Sequence, residues 1–214
     1  MDGKNNDKVK ETMRLADDGD YMAQTKLAGL YLEGKGVCQD DLLAFHWALK
    51  AAESGYVVAQ ALVGLMYFRG VGAALNYPKA MEWFIKAADQ GHCSSQFNIG
   101  LMYFMGLGVL KNHKMAAYWY RKSAGSGFTP AILNLGVMYN YGKGVKMSYE
   151  EARECFLMAA EFDDPMAEFN LGVMSLLGQG GPVDYEEARE WFRRSARHGN
   201  MDALLNLKFL ESEP

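Results

Sequence analysis

Along this chain, apolar residues recur in two alternating stripes, each at helical spacing. From Ala59 to Arg69 the apolar positions Ala59, Val63, Met66 and Tyr67 share one face of a helix. Gly70 and Gly72 follow, and glycine takes the positive φ angles that end a helix and turn the chain. Asn76 is an N-cap residue type, and Ala80, Trp83, Phe84, Ala87 and Ala88 form the stripe of a second helix that closes at Gly91. The whole pattern is copied along the chain. Ala59 has counterparts at Ala23, Ser95, Ala131, Ala167 and Ala203, each 36 residues from the next. Gly70 recurs as Gly34, Gly106, Gly142 and Gly178, and Trp83 as Trp47, Trp119 and Trp191, with Cys155 in the remaining slot. A fixed period of this length marks a solenoid of helix–turn–helix units, none of which buries its apolar face alone.

The phase holds from residue 20 to residue 199, which sets five units: 20–55, 56–91, 92–127, 128–163 and 164–199. Residues 1–19 read as a polar leader plus a second helix, with Lys8 and Glu11 in the Ala and Trp slots. Residues 200–214 read as one more first helix and a polar tail. Polar substitution at both ends suits terminal caps. The later units drift: Asp163 replaces the closing Gly, and Ser175 replaces the Tyr found at Tyr31, Tyr67, Tyr103 and Tyr139. Recurrence of Trp83 at each junction predicts that it is buried between its own first helix and that of the next unit, facing the small residues Gly64, Ala80 and Ala88.

The series Ala59, Gln60, Val63, Gly64, Tyr67, Gly70, Gly72, Ala80, Trp83, Lys86, Ala87, Ala88 and Gly91 resembles the Sel-1-like repeat family, relatives of the tetratricopeptide repeat. The resemblance covers roughly residues 20–210. It implies an all-α, right-handed superhelical solenoid and a role in assembling protein complexes, and it transfers no active site.

Charge and chemistry narrow the function further. A net charge of −4 offers no basic field for phosphates, so nucleic acid is not an expected partner. No apolar run approaches the ~18 residues of a membrane span, and the polar first ten residues lack a signal-peptide pattern. A cytoplasmic location is expected, or an exported or periplasmic one if a signal peptide has been removed. Cys38, Cys93 and Cys155 are odd in number and irregularly spaced, which fits free thiols in a reducing compartment. One branch of the resembled family is cysteine-rich and linked to β-lactam hydrolysis; this chain lacks both that cysteine pattern and a Ser-x-x-Lys. His46, His92, His113 and His198 show no metal-ligand spacing; His92 beside Cys93 is the only adjacent pair of ligand types. Acidic pairs such as Asp40–Asp41, Glu150–Glu151 and Glu186–Glu187 fall where second helices begin and complement the helix dipole. The expectation is a non-enzyme without catalytic residues, cofactor or metal, and a monomer or weak homo-oligomer.

First helices line the concave surface in the tetratricopeptide architecture. The positions two, six and nine after the repeated Ala then form an inner face. It includes Phe97, Leu101, Phe104, Leu133, Val137 and Phe169, edged by Met105 and Tyr141. The fold's packing is not expected to need this apolar surface, which points to a partner site concentrated in the third and fourth units. Asn98, Asn134 and Asn170 share one phase and could bond the main chain of an extended ligand or tie first helices together. The expected function is a scaffold or adaptor holding a peptide or helix of another protein. A bacterial effector or toxin-neutralising partner is one alternative, and a hydrolase like the cysteine-rich branch is another.

Overall fold

The computed structural model describes residues 2–212, and among them twelve helices and no strand. The first helices of the units are α2 (Tyr21–Glu33), α4 (Val57–Arg69), α6 (Cys93–Met105), α8 (Thr129–Tyr141) and α10 (Pro165–Leu177). The second helices are α3 (Asp41–Glu53), α5 (Tyr77–Asp89), α7 (His113–Ala124), α9 (Tyr149–Ala160) and α11 (Tyr185–Arg197). Helix α1 (Asp2–Asp17) precedes them and α12 (Met201–Ser212) follows. No described helix is long and apolar enough to cross a membrane. The helices group into two compact units, α1–α6 and α7–α12.

Local chemistry sets the ends of the repeated helices at two points in each unit. The side chains of Asp40, Asn76, Asn112, Ser148 and Asp184 each accept the backbone N–H three residues on, capping the second helices. Each first helix from α2 to α10 ends at a left-handed glycine; at Gly70 (φ 70°) the cap N–H donates to the Met66 carbonyl. Gly72 has a different task. A β-carbon there would overlap the Asp41 carbonyl and lie 2.7 Å from Phe45 Cβ, so this turn presses directly on the previous second helix.

In the first compact unit the core joins α2, α3 and α4 through Ala28, Ala48, Ala52, Ala59, Val63 and Met66. In the second, one cluster joins α8, α9 and α10 through Ile132, Phe156, Ala160, Leu171 and Met174. Another joins α11 to α12 through Phe192, Ala203, Leu207 and Leu210. The fully buried ring of α5 is Phe84, not Trp83. Trp83 is half-buried and packs against the α2–α3–α4 cluster, so the expectation that it supplies the buried bulk opposite Gly64 is corrected. Ring positions one residue later do that work: Phe84, Phe156 and Phe192 lie against Gly64, Gly136 and Gly172.

Candidate functional site

The residues expected to form the inner face fall in both compact units. In the first, Phe97, Asn98, Leu101 and Phe104 are half-buried on α6, and Met105 is 58% exposed. In the second, Leu133, Asn134 and Val137 are half-buried on α8, Tyr141 is 65% exposed, and Phe169 and Asn170 are half-buried on α10. The fold does use part of this surface. Leu133 and Val137 pack against the α8–α9–α10 cluster, and Phe169, with Val173 and Leu176, packs against the α11–α12 cluster. The Phe169 and Phe192 rings lie 5.7 Å apart. The expectation that internal packing does not need these residues is therefore wrong for Leu133, Val137 and Phe169. The stack of first helices is itself built from them.

Three asparagines of this phase already bond within the chain. Asn170 Nδ2 donates to the Met166 carbonyl of its own helix at 2.8 Å, and Asn206 repeats this with Asp202 at 2.8 Å. Asn134 bonds the buried Tyr120 hydroxyl. Burial, partly offset by that bond, pushes the Tyr120 hydroxyl up to about 12.

Open space remains between successive first helices. In the first compact unit a cleft of about 330 Å³ separates α2 from α4, lined by Leu32, Leu62, Leu65, Met66 and Val71 with Gln39, Asp41 and Arg69. In the second, a cleft of about 250 Å³ separates α8 from α10. Its lining includes Asn140, Met147, Tyr149, Asn170, Val173, Met174, Leu177 and Gln179, the same repeat positions three units later, together with Tyr141 and Phe156. The cleft is a recurring product of the fold, and its chemistry changes from apolar to amide-lined. A polar hollow of about 410 Å³ lies beside the turn after α8, where Arg121 donates to the Tyr139 hydroxyl at 3.2 Å and Lys146, Glu150 and Glu151 mix both charge signs.

One charged cluster was not visible as a unit in the sequence. In the first three units a glutamine after the repeated Ala position donates to a carbonyl eight residues back: Gln24 to Ala16, Gln60 to Ala52 and Gln96 to Ala88. Gln90 donates to Gln60 at 2.8 Å and to the Gly55 carbonyl at 3.0 Å. In the fifth unit Glu168 holds the Gln60 position, His198 the Gln90 position and Arg194 the Lys86 position, and Asp163, which closes the fourth unit, holds the Gly55 position. Glu168 is fully buried and lacks the amide N–H of glutamine, and Arg194 donates to the Ala160 carbonyl in its place. The same guanidinium pairs with Glu168 and, at 2.8 Å, with Asp163, while His198 Nδ1 lies 2.8 Å from Glu168. Asp163, Glu168 and His198 are close enough to suggest a metal site, but Arg194 already supplies the cation that bridges both carboxylates. This cluster is a charged version of the neutral amide junction. Beside it, Ser175, standing where earlier units have Tyr, donates to Glu187 at 2.7 Å and accepts from Arg153 at 3.3 Å.

Cys38 is exposed, Cys93 and Cys155 are half-buried, and none of the three is in a disulfide. Burial, with Glu154 adding to it, raises the Cys155 thiol to about 11. His92 caps α6 by accepting the Ser95 N–H at 3.2 Å, and burial holds its pKa below the ordinary value.

No curated protein matches the chain. Among solved structures, c5321, a protective antigen of uropathogenic Escherichia coli displaying an SLR fold, is 38% identical with a TM-score of 0.90. The match covers 96% of this chain and 44% of that one, so this chain spans under half of that protein. A Sel1 repeat protein from Oxalobacter formigenes is 32% identical with a TM-score of 0.82, over 95% of this chain and 86% of that one. The Pseudomonas aeruginosa immunity protein Pa5087, at 22% identity and a TM-score of 0.51 over 82% of this chain and 67% of its own, shares the fold alone. The Sel1 repeat model matches residues 22–56, 57–92, 93–128, 129–161 and 165–200. The chain is an all-α helical-repeat solenoid and belongs to the Sel1 repeat family.

Proposed function

We propose that this chain acts without catalysis, as a scaffold that holds a segment of another protein against the face made by its first helices. Sel1 repeat proteins generally serve as protein-interaction scaffolds. The observation that carries the reading here is the recurrence of a cleft between successive first helices, with exposed apolar side chains at its lip. Around the α8–α10 cleft, Tyr141, Met147 and Leu177 are 65%, 54% and 58% exposed, although all three line it. Apolar lips over a concave floor are what a protein segment can desolvate on binding.

Within this face we assign contact in the first compact unit to Met105 and the accessible edges of Phe97, Leu101 and Phe104, with Asn98 beside them. In the second, we assign it to Tyr141 and the accessible edges of Leu133, Val137 and Phe169, with Asn134 and Asn170. Because Leu133, Val137 and Phe169 also hold the stack, they serve both packing and contact, and the exposed lip residues are the clean probes. Neutralising a toxin would be a special case of the same reading; the likeness to an immunity protein is one of fold. The test is photo-crosslinking from lip positions against positions on the second helices.

A further inference from the structure

The α2–α4 cleft and the α8–α10 cleft occupy the same repeat positions, yet their chemistry is inverted. Leu32 and Leu62 in the first correspond to Asn140 and Asn170 in the second, so an apolar floor becomes an amide floor. Asp41 and Arg69 in the first correspond to Tyr149 and Leu177, so a charged rim becomes an apolar one. The clefts persist with either set, so the geometry of the fold does not require charge at these two positions. Both Asp41 and Arg69 are exposed, and neither side chain has a hydrogen-bond or ion-pair partner among the described residues.

Resting on the reading that the first-helix face binds protein, we propose that the α2–α4 cleft takes one large apolar side chain of a partner segment whose flanking residues carry opposite charges. The volume of about 330 Å³ accommodates a leucine- or phenylalanine-sized group. The acidic flank of the partner lies toward Arg69 and the basic flank toward Asp41. Charge at a rim selects and orients a ligand more than it adds affinity, which is how one recurring cleft can acquire a specific reader. An anchor flanked by two like charges would meet repulsion at one lip, and a neutral one would forgo both contacts.

The test uses the full chain and short fluorescein-labelled peptides with a central leucine. Flanks are Lys/Glu in both orders, Lys/Lys or Glu/Glu, and a Lys/Glu peptide with central alanine is the control. Fluorescence anisotropy should rank a Lys/Glu leucine peptide first, in one of the two orders, and the alanine control should bind about tenfold more weakly or worse. Arg69→Glu makes both lips acidic on an exposed position, leaving the melting temperature close to that of the parent. It should move the preference to the Lys/Lys peptide by about tenfold, the size expected when an exposed attraction becomes a repulsion. A parent chain indifferent to flanking charge, or a ranking that Arg69→Glu leaves unchanged, overturns the proposal. A photo-reactive leucine at the peptide centre separates the two levels. Crosslinks at Tyr141 or Leu177 alone would defeat the cleft assignment while leaving the first-helix face intact, and crosslinks on second helices alone, away from Asp41 at the start of α3, would defeat both.

Discussion

A β-carbon on Gly64 would stand 2.6 Å from Cδ1 of Phe84, so this helix pair closes only with glycine against the aromatic ring. The first repeat solves the same problem differently, with Ala28 and Ala48 at the two positions, both fully buried in one cluster. The two residues are therefore coupled. Gly64→Ala should cost about 1–3 kcal/mol through overpacking, and Phe84→Ala about 3–5 kcal/mol through the cavity it leaves. Together they reproduce the pair used in the first repeat. Urea denaturation should find the double variant less destabilised than the sum of the two. Strict additivity would mean that the residues do not share space.

The charged junction of the fifth repeat gives a second cycle. Removing Arg194 leaves Glu168 buried without its guanidinium and frees the Ala160 carbonyl, so Arg194→Ala should cost about 2–4 kcal/mol, the side chain being partly exposed. In a Glu168→Gln background the same change should cost about 1 kcal/mol, because glutamine can donate to that carbonyl as Gln60 does to Ala52. Equal costs in both backgrounds would show that the two side chains are not paired.

Stability at high pH follows from two groups whose pKa values burial raises. Tyr120 is held at about 12 against an ordinary 10.0, and Cys155 at about 11 against 9.0. Both folded values are raised, so their contribution is complete below pH ~9 and shrinks as pH rises from there towards 12. The midpoint of thermal unfolding should fall over that window, and Tyr120→Phe should flatten the fall. Alkylation at pH ~8 followed by mass spectrometry should label Cys155 about a hundredfold more slowly than N-acetylcysteine, since it is the thiolate that reacts.

At the acid end the relevant group is His92, whose neutral imidazole accepts the Ser95 N–H at the start of α6. Its folded pKa lies below the ordinary 6.5, so the stability it contributes is present above that value and lost as pH falls through the depressed one. His92→Asn keeps an N-cap acceptor that does not titrate, and should remove this part of the acid sensitivity seen by circular dichroism. An unchanged acid profile would place the sensitivity elsewhere.

The helices, the caps of the second helices and the glycine turns could be read from the 36-residue phase, because capping and positive φ depend on local sequence, whereas the first-helix caps Asp20, His92 and Asp164 share no single residue type and were missed. Burial was harder. Trp83 and Phe84 are adjacent in sequence but about 100° apart around the helix, and of the two the one that recurs more faithfully is not the one the core encloses. Phe84 hid because its slot varies, with Ala48, Tyr120, Phe156 and Phe192 in the other repeats. Phe169 read as a free inner-face residue because sequence spacing cannot say how closely the next first helix approaches. Of the Asp163–Glu168–Arg194–His198 cluster the sequence offered only Asp163, as drift, and His198, as a lone histidine, because the four positions meet only in the fold.

The central claim is that the first-helix face is where a partner protein sits. The direct measurement places a photo-crosslinking amino acid at Tyr141 or Leu177 on the α8–α10 lip, and separately at Ile85 or Leu157 on the second helices, all four exposed. After illumination in native lysate, a common partner adduct should form from Tyr141 and Leu177 and be absent from Ile85 and Leu157. An adduct from Ile85 or Leu157, with none from the lip positions, would contradict the account.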